Sequence, residues 1–205
     1  MHDGLSSLYI AFNGMQRLAT GPLADVATEI KRVVDRGQHR PILLFDARTS
    51  ELLDIDTRGS VEDVALRYAS SHGTSAPGDE ASAPEASADG PRTRGRPKLG
   101  VVAREVTLLP RHWDWLNTQP GGASVALRKL VEEARRANAG RDTARKSREA
   151  AYKFMSAIAS SLETFEEATR ALFAGDRPRF DALLSSWPAD VRDHTSMLAQ
   201  SSFTV

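Results

Sequence analysis

Leu8-Tyr9-Ile10-Ala11-Phe12-Asn13-Gly14-Met15-Gln16-Arg17-Leu18-Ala19 is the stretch on which the fold turns. Leu8 to Phe12 is an apolar run of strand length. Asn13-Gly14 is a pair that favours a type I′ hairpin turn, because both residues tolerate the left-handed backbone such a turn needs. Met15 to Ala19 is then the returning strand. Outward from this hairpin, Leu23, Val26, Ala27, Ile30, Val33 and Val34 keep helical spacing, with Pro22 just inside the helix start and Gly37 at its end. Pro41-Ile42-Leu43-Leu44-Phe45 reads as a buried strand, and Leu52 to Asp56 pairs with it across the Asp46–Glu51 turn. Ser60 with Asp63 three residues on is a capping-box variant opening a helix that turns Val61, Val64, Ala65 and Tyr68 inward. Residues 1–69 are therefore expected to form a small α+β unit of order β-β-α-β-β-α.

The segment after it changes character. Ser70 to Gly90 holds Ala, Ser, Pro, Gly, Asp and Glu with no large apolar side chain. Such a composition buries too little surface to offset backbone entropy, so 70–99 is expected to be a disordered linker. Residues 100–139 then read as strand, helix, helix, and 140–205 as a helical bundle. In that last part Ala150, Phe154, Ile158 and Leu162 lie on one stripe, and Phe165, Ala168, Leu172 and Phe173 on another. Gly175 closes a helix there, Asp176 caps the next, and Pro188 starts a final short one.

Composition sets limits on function. The 205 residues carry no net charge and no cysteine. Thiolate metal sites, disulfides and a cysteine nucleophile are thereby excluded. No apolar run approaches the roughly 18 residues of a membrane span, and Met1 to Gly14 does not have the plan of a secretory signal, so no membrane association and a cytoplasmic location are expected. The zero charge conceals an asymmetry. Residues 1–91 carry a net −6, residues 92–148 a net +9 and residues 149–205 a net −3. A basic island between acidic flanks is the distribution expected where one segment meets a polyanion.

Two signals lie in that island. Arg94-Gly95-Arg96-Pro97-Lys98 resembles the core of an AT-hook, with arginines that can lie along a narrow A·T-rich minor groove and a glycine that permits close approach. Beyond it, Val106-Thr107-Leu108 is read as a strand and Pro110 as an abrupt helix start. Pro120-Gly121-Gly122 is a break, and Ser124 caps a second helix with Leu127, Leu130, Val131 and Ala134 along one face. This order resembles the ribbon-helix-helix family, in which strands of two chains pair into a ribbon that enters the major groove. The resemblance implies a homodimer. It places Val106 and Leu108 toward the dimer core, Glu105 and Thr107 toward bases, and Gly122, Ala123 and Ser124 at a phosphate. Arg104, Arg111, Arg128 and Lys129 complete the expected DNA-binding set. Glu105 departs from the family pattern, since a carboxylate accepts only from a cytosine amine and repels phosphate.

The stretch Gly95-Arg96-Pro97-Lys98-Leu99-Gly100-Val101-Val102-Ala103-Arg104-Glu105-Val106-Thr107-Leu108-Leu109-Pro110-Arg111-His112-Trp113-Asp114-Trp115-Leu116 is distinctive, as is Pro120-Gly121-Gly122-Ala123-Ser124-Val125-Ala126-Leu127-Arg128. Through them the chain resembles a bacterial family catalogued as domain of unknown function twenty-two thirty-nine. That resemblance implies no activity.

Other candidates carry less. His2, His39, His72, His112 and His194 have no metal-ligand spacing. Trp113 and Trp115, two apart, cannot both be buried by one helix face. Asp54 and Asp56 share the open face of a strand and are read as solvated. No phosphate loop or Ser-His-Asp arrangement is present, so neither an enzyme, a cofactor nor a metal is expected. DNA binding by a homodimer is the leading expectation, with a transcriptional regulator as its natural form. The alternative is a protein–protein adaptor, or an antitoxin-like protein, of unidentified partner.

Overall fold

The computed structural model describes residues 8–37, 40–69 and 104–204. In chain order the elements are β1 (Tyr9–Asn13), β2 (Gln16–Gly21), α1 (Leu23–Asp35), β3 (Ile42–Asp46), β4 (Leu52–Leu53) and α2 (Val61–Ala69). They continue with α3 (Pro110–Asn117), α4 (Gly122–Ile158), α5 (Phe165–Ala174), α6 (Arg177–Leu184) and α7 (Ala189–Ala199), followed by a 3₁₀ turn over Gln200–Phe203. The fold is mixed α+β, with a four-stranded antiparallel sheet at the N-terminal end and mostly helix after it. The linker reading at 70–99 and the AT-hook-like residues fall outside the described residues.

The chain divides into two compact units, residues 1–74 with 137–205 and residues 75–136. In the first, the strands lie in the order β2-β1-β3-β4. The hairpin forms where the sequence places it, but its tip is shifted by one residue. Asn13 pairs with Gln16 and with Ile42, so Gly14 and Met15 are the central residues. Gly14 has φ 61° and Met15 keeps an ordinary backbone, as a type II′ turn requires in place of the expected type I′. The register slips between Ala11 and Phe12, because Arg17 rather than Leu18 stands opposite Phe12. This is a bulge, which bends the returning strand.

Both faces of the sheet are covered, which is why Leu8 to Phe12 and Ile42 to Phe45 are apolar without interruption. Side chains alternate across a strand, so Ala11 and Leu44 point one way and meet Val26 and Ile30 of α1. Ile10, Phe12 and Phe45 point the other way, into a core with Ala151, Phe154 and Met155 of α4, Leu172 of α5, Phe180 of α6 and Val191 of α7. Phe154 is the centre of this layer. Its ring lies 5.1 Å from Phe12, 5.3 Å from Phe45 and 4.6 Å from His194. Each such fully buried aromatic contributes on the order of 2–3 kcal/mol of transfer free energy. The sheet and the C-terminal helices thus share one core. A hydrogen bond reinforces it, as the Arg17 amide donates to the Asp190 carboxylate of α7 at 2.9 Å.

Local signals locate the helix ends well. The Ser60 hydroxyl accepts from the Asp63 amide at 3.1 Å, and the Asp63 carboxylate accepts from the Ser60 amide at 2.8 Å, a reciprocal capping box. Gly175 has φ 73° and ends α5, and Asp176 accepts from the Arg179 amide at 3.1 Å to cap α6. Pro22 is the N-cap of α1 rather than its first residue, with φ −57° and ψ 152°. Three further expectations are corrected. The strand read over Leu52 to Asp56 covers only Leu52 and Leu53, because Asp56 turns instead to Arg58. Phe173 is 52% exposed and stacks edge-on against Tyr152 instead of joining the core. The helix that starts before Leu127 runs through Gly140 to Ile158 without a break. One internal glycine costs about 1 kcal/mol against alanine, too little to end a helix otherwise rich in Ala and Arg.

Candidate nucleic-acid interface

The second unit holds the expected site, and its described part is residues 104–136. Arg104 to Leu109 forms no strand and is exposed except at Leu108. Leu109 is extended, at φ −66° and ψ 149°, because the ring of Pro110 disfavours a helical residue before it. Proline then opens α3, where its absent N–H needs no partner. The Leu109 carbonyl accepts from the amides of His112 at 2.8 Å and Trp113 at 3.3 Å. Leu116 is the buried anchor of α3, Trp113 is half-buried and Trp115 is 52% exposed. Of the tryptophan pair, then, one side chain is sheltered and the other open.

The turn between the helices is built on glycine. Gly121 has φ 86° and Gly122 φ 75°, and a Cβ at Gly121 would stand 3.1 Å from Val125. Thr118 and Gln119 close the end of α3 by donating to the Trp115 carbonyl at 2.7 and 3.2 Å. Helix α4 begins at Gly122, two residues before the expected cap. Ser124 therefore lies in the first turn, where its backbone carbonyl accepts from the Arg128 guanidinium at 3.0 Å.

Cations of residues 104–136 fall into two groups. Arg135 and Arg136 are neutralised locally. Arg135 donates to Glu132 at 2.9 and 3.1 Å and Arg136 at 3.1 Å. The Arg135 hydrogen bonds, with its charge and the Arg136 bond, hold the Glu132 carboxyl below the usual carboxylate range. Arg104, Arg111, Arg128 and Lys129, by contrast, are exposed and form no ion pair among the described residues. They are the ones left to meet an external anion. Apolar side chains accompany them. Val106, Leu109, Leu130 and Val131 are between 42% and 64% exposed.

A family model described as "Uncharacterized protein conserved in bacteria (DUF2239)" matches residues 8–199. The chain belongs to this family. No curated protein and no solved structure matches it.

In this DUF2239 chain, several expected site residues stand apart from the plan that suggested them. Val106 to Leu108 is not a strand, and Val106 is 52% exposed. A strand is a property of a pair, and this segment has no backbone partner among the described residues. Glu105 and Thr107 are exposed and belong to no strand. Gly122 opens α4 with a left-handed backbone, and Ser124 does not cap it. Arg94, Arg96 and Lys98 lie outside the described residues. The sequence reading missed Glu132 as the partner of Arg135 and Arg136, although the i, i+3 and i, i+4 spacings signal it. Elsewhere, Asp56 is engaged by Arg58 at 2.7 and 2.9 Å and by Arg67 at 4.0 Å. Hydrogen bonding to Arg58 holds its carboxyl well below the usual range, so it organises a loop rather than forming a carboxylate pair with Asp54. Among the described residues no three acidic or imidazole groups gather as metal ligands, and no helix is long and apolar enough to cross a membrane.

Proposed function

We propose that this protein binds duplex DNA through its basic central segment and acts as a homodimer, as a transcriptional regulator would. The observation that carries the reading is the set Arg104, Arg111, Arg128 and Lys129, exposed and without ion pairs among the described residues. Cations outside internal ion pairs displace the counterions condensed on DNA when they meet phosphate, which makes them effective and salt-sensitive contacts. The Arg94-Gly95-Arg96-Pro97-Lys98 arm precedes them by a few residues and suits an A·T-rich minor groove. Dimerisation has its own motive. Val106, Leu109, Trp115, Leu130 and Val131 are exposed apolar side chains that a second copy would cover. Pairing Val106 to Leu108 with the same residues of a second copy would supply the ladder that a ribbon-helix-helix dimer uses.

A mobility-shift titration against A·T-rich and G·C-rich duplexes tests this directly. Replacing Arg128 and Lys129 together by alanine should weaken binding to both duplexes alike. It should also make the dependence of log affinity on log salt shallower by about one to two units. Failure of the wild type to shift either duplex at micromolar protein and 50 mM salt would end the proposal. The second reading, a protein–protein adaptor, rests on those same exposed apolar side chains. It predicts a dimer or hetero-complex by light scattering with no affinity for DNA.

A further inference from the structure

The first unit carries a feature that DNA binding does not use. Beside the Asp46–Glu51 turn lies a groove walled by Ser50, Glu51, Leu52, Tyr152, Lys153 and Ser156. Glu51 and Lys153 also border a second hollow of about 570 Å³, which presents Arg48, Thr49, Lys146 and Ser201. Volumes of several hundred Å³ are those of small-molecule sites. The two hollows meet at the Glu51–Lys153 ion pair. At 3.9 Å, with side chains 69% and 53% exposed, that pair is worth little and can part.

Their chemistry differs. Arg48 and Lys146 are exposed and form no ion pair among the described residues, while Glu149 is engaged by Arg145 at 3.1 Å. That hollow is cationic in balance. The other is apolar at its mouth, where Leu52 is 58% and Tyr152 41% exposed. Its wall includes two hydroxyls, of Ser50 and Ser156, that are shut off from solvent and have no hydrogen-bond partner. Ser50 carries a second cost. It is 3% exposed and, among the described residues, the only non-glycine with positive φ, at 56°. An unpaired buried hydroxyl and a left-handed serine each cost stability. Glycine at this position would relieve both.

We propose that the two hollows form one binding site for a small organic anion with an apolar body. Arg48 and Lys146 hold its acid group, joined by Lys153 as it leaves Glu51. The body lies over Leu52 and Tyr152. Every residue involved belongs to the unit formed by 1–74 and 137–205, so the proposal stands or falls independently of DNA binding.

The test uses the full chain with 8-anilinonaphthalene-1-sulfonate, an aromatic anion, and N-phenyl-1-naphthylamine, its uncharged counterpart, both read by fluorescence. The sulfonate should bind saturably and at least about fivefold more tightly than the amine, as two added charge-assisted contacts require. In Arg48→Gln with Lys146→Gln, both surface changes, that preference should disappear. Leu52→Asp should weaken both probes, whereas Leu130→Ser with Val131→Ser should leave them within about twofold of the wild type. Absence of saturable binding, equal affinity for the two probes, or loss confined to the Leu130 and Val131 variant would each overturn the assignment. If Leu52→Asp does not fold, the surface pair Arg48→Gln with Lys146→Gln still decides.

Discussion

His194 gives the core a pH dependence that can be measured. Its side chain is 5% exposed, lies between the rings of Phe154 at 4.6 Å and Phe12 at 5.9 Å, and has an Nε2 with no hydrogen-bond partner. Burial, and secondarily the charge of Arg17, push its pKa down from 6.5 to about 4. The folded state therefore resists a proton that the unfolded state accepts below pH 6.5. Stability from this group is complete above that pH, falls as the pH drops from 6.5 toward 4, and changes no further below. Between pH 7 and pH 5 the loss is about 2 kcal/mol, which at a urea slope of about 2 kcal/mol/M lowers the unfolding midpoint by about 1 M. Asp63 and Glu132, whose pKa values are also lowered, stay ionised in both states over most of this window and lose their contributions mainly below it. The assay is urea unfolding by circular dichroism at pH 7, 6 and 5 for the wild type and His194→Leu. The variant should be much flatter with pH. Parallel curves for the two proteins across this range would refute the placement of a neutral imidazole in the core.

Phe154→Ala should destabilise the protein by about 3–5 kcal/mol, since it opens a cavity between three rings, while Phe173→Ala at an exposed site should cost far less, both read from urea midpoints. A protease site inserted between residues 75 and 95 and then cut should leave two fragments that co-elute on gel filtration, because Phe12 and Phe45 share a core with Phe154. Separation of the fragments without denaturant would contradict that shared core. Ser60→Ala should cost about 1 kcal/mol and raise amide exchange in the first turn of α2, as loss of a capping-box hydroxyl does.

Much of the protein was legible residue by residue. The Asn13-Gly14 hairpin, the α1 stripe, the Ser60 and Asp63 box and the Gly175–Asp176 junction are all local, and each appears where the sequence puts it, within a residue or two. Exposure of Arg128 and Lys129 follows from helical periodicity in the same way. The candidate site was less legible where its geometry depends on a partner. Val106 to Leu108 has strand composition, but a ladder needs a second strand and composition cannot supply one.

What only the tertiary structure decided is which surfaces meet. Leu8 to Phe12 is apolar throughout, so its pattern says that both faces are covered but not by what. The C-terminal helices take the Ile10, Phe12 and Phe45 side across more than a hundred residues of chain. His194 looks like any polar residue in a surface helix until Phe12 and Phe154 enclose it. Arg48 and Lys146 are ordinary surface cations until the fold sets them around one hollow. The physical reason is the same in each case. Periodicity and capping report interactions within a few bonds of a residue, whereas burial, a shifted pKa and a binding surface arise from groups the chain brings together only on folding.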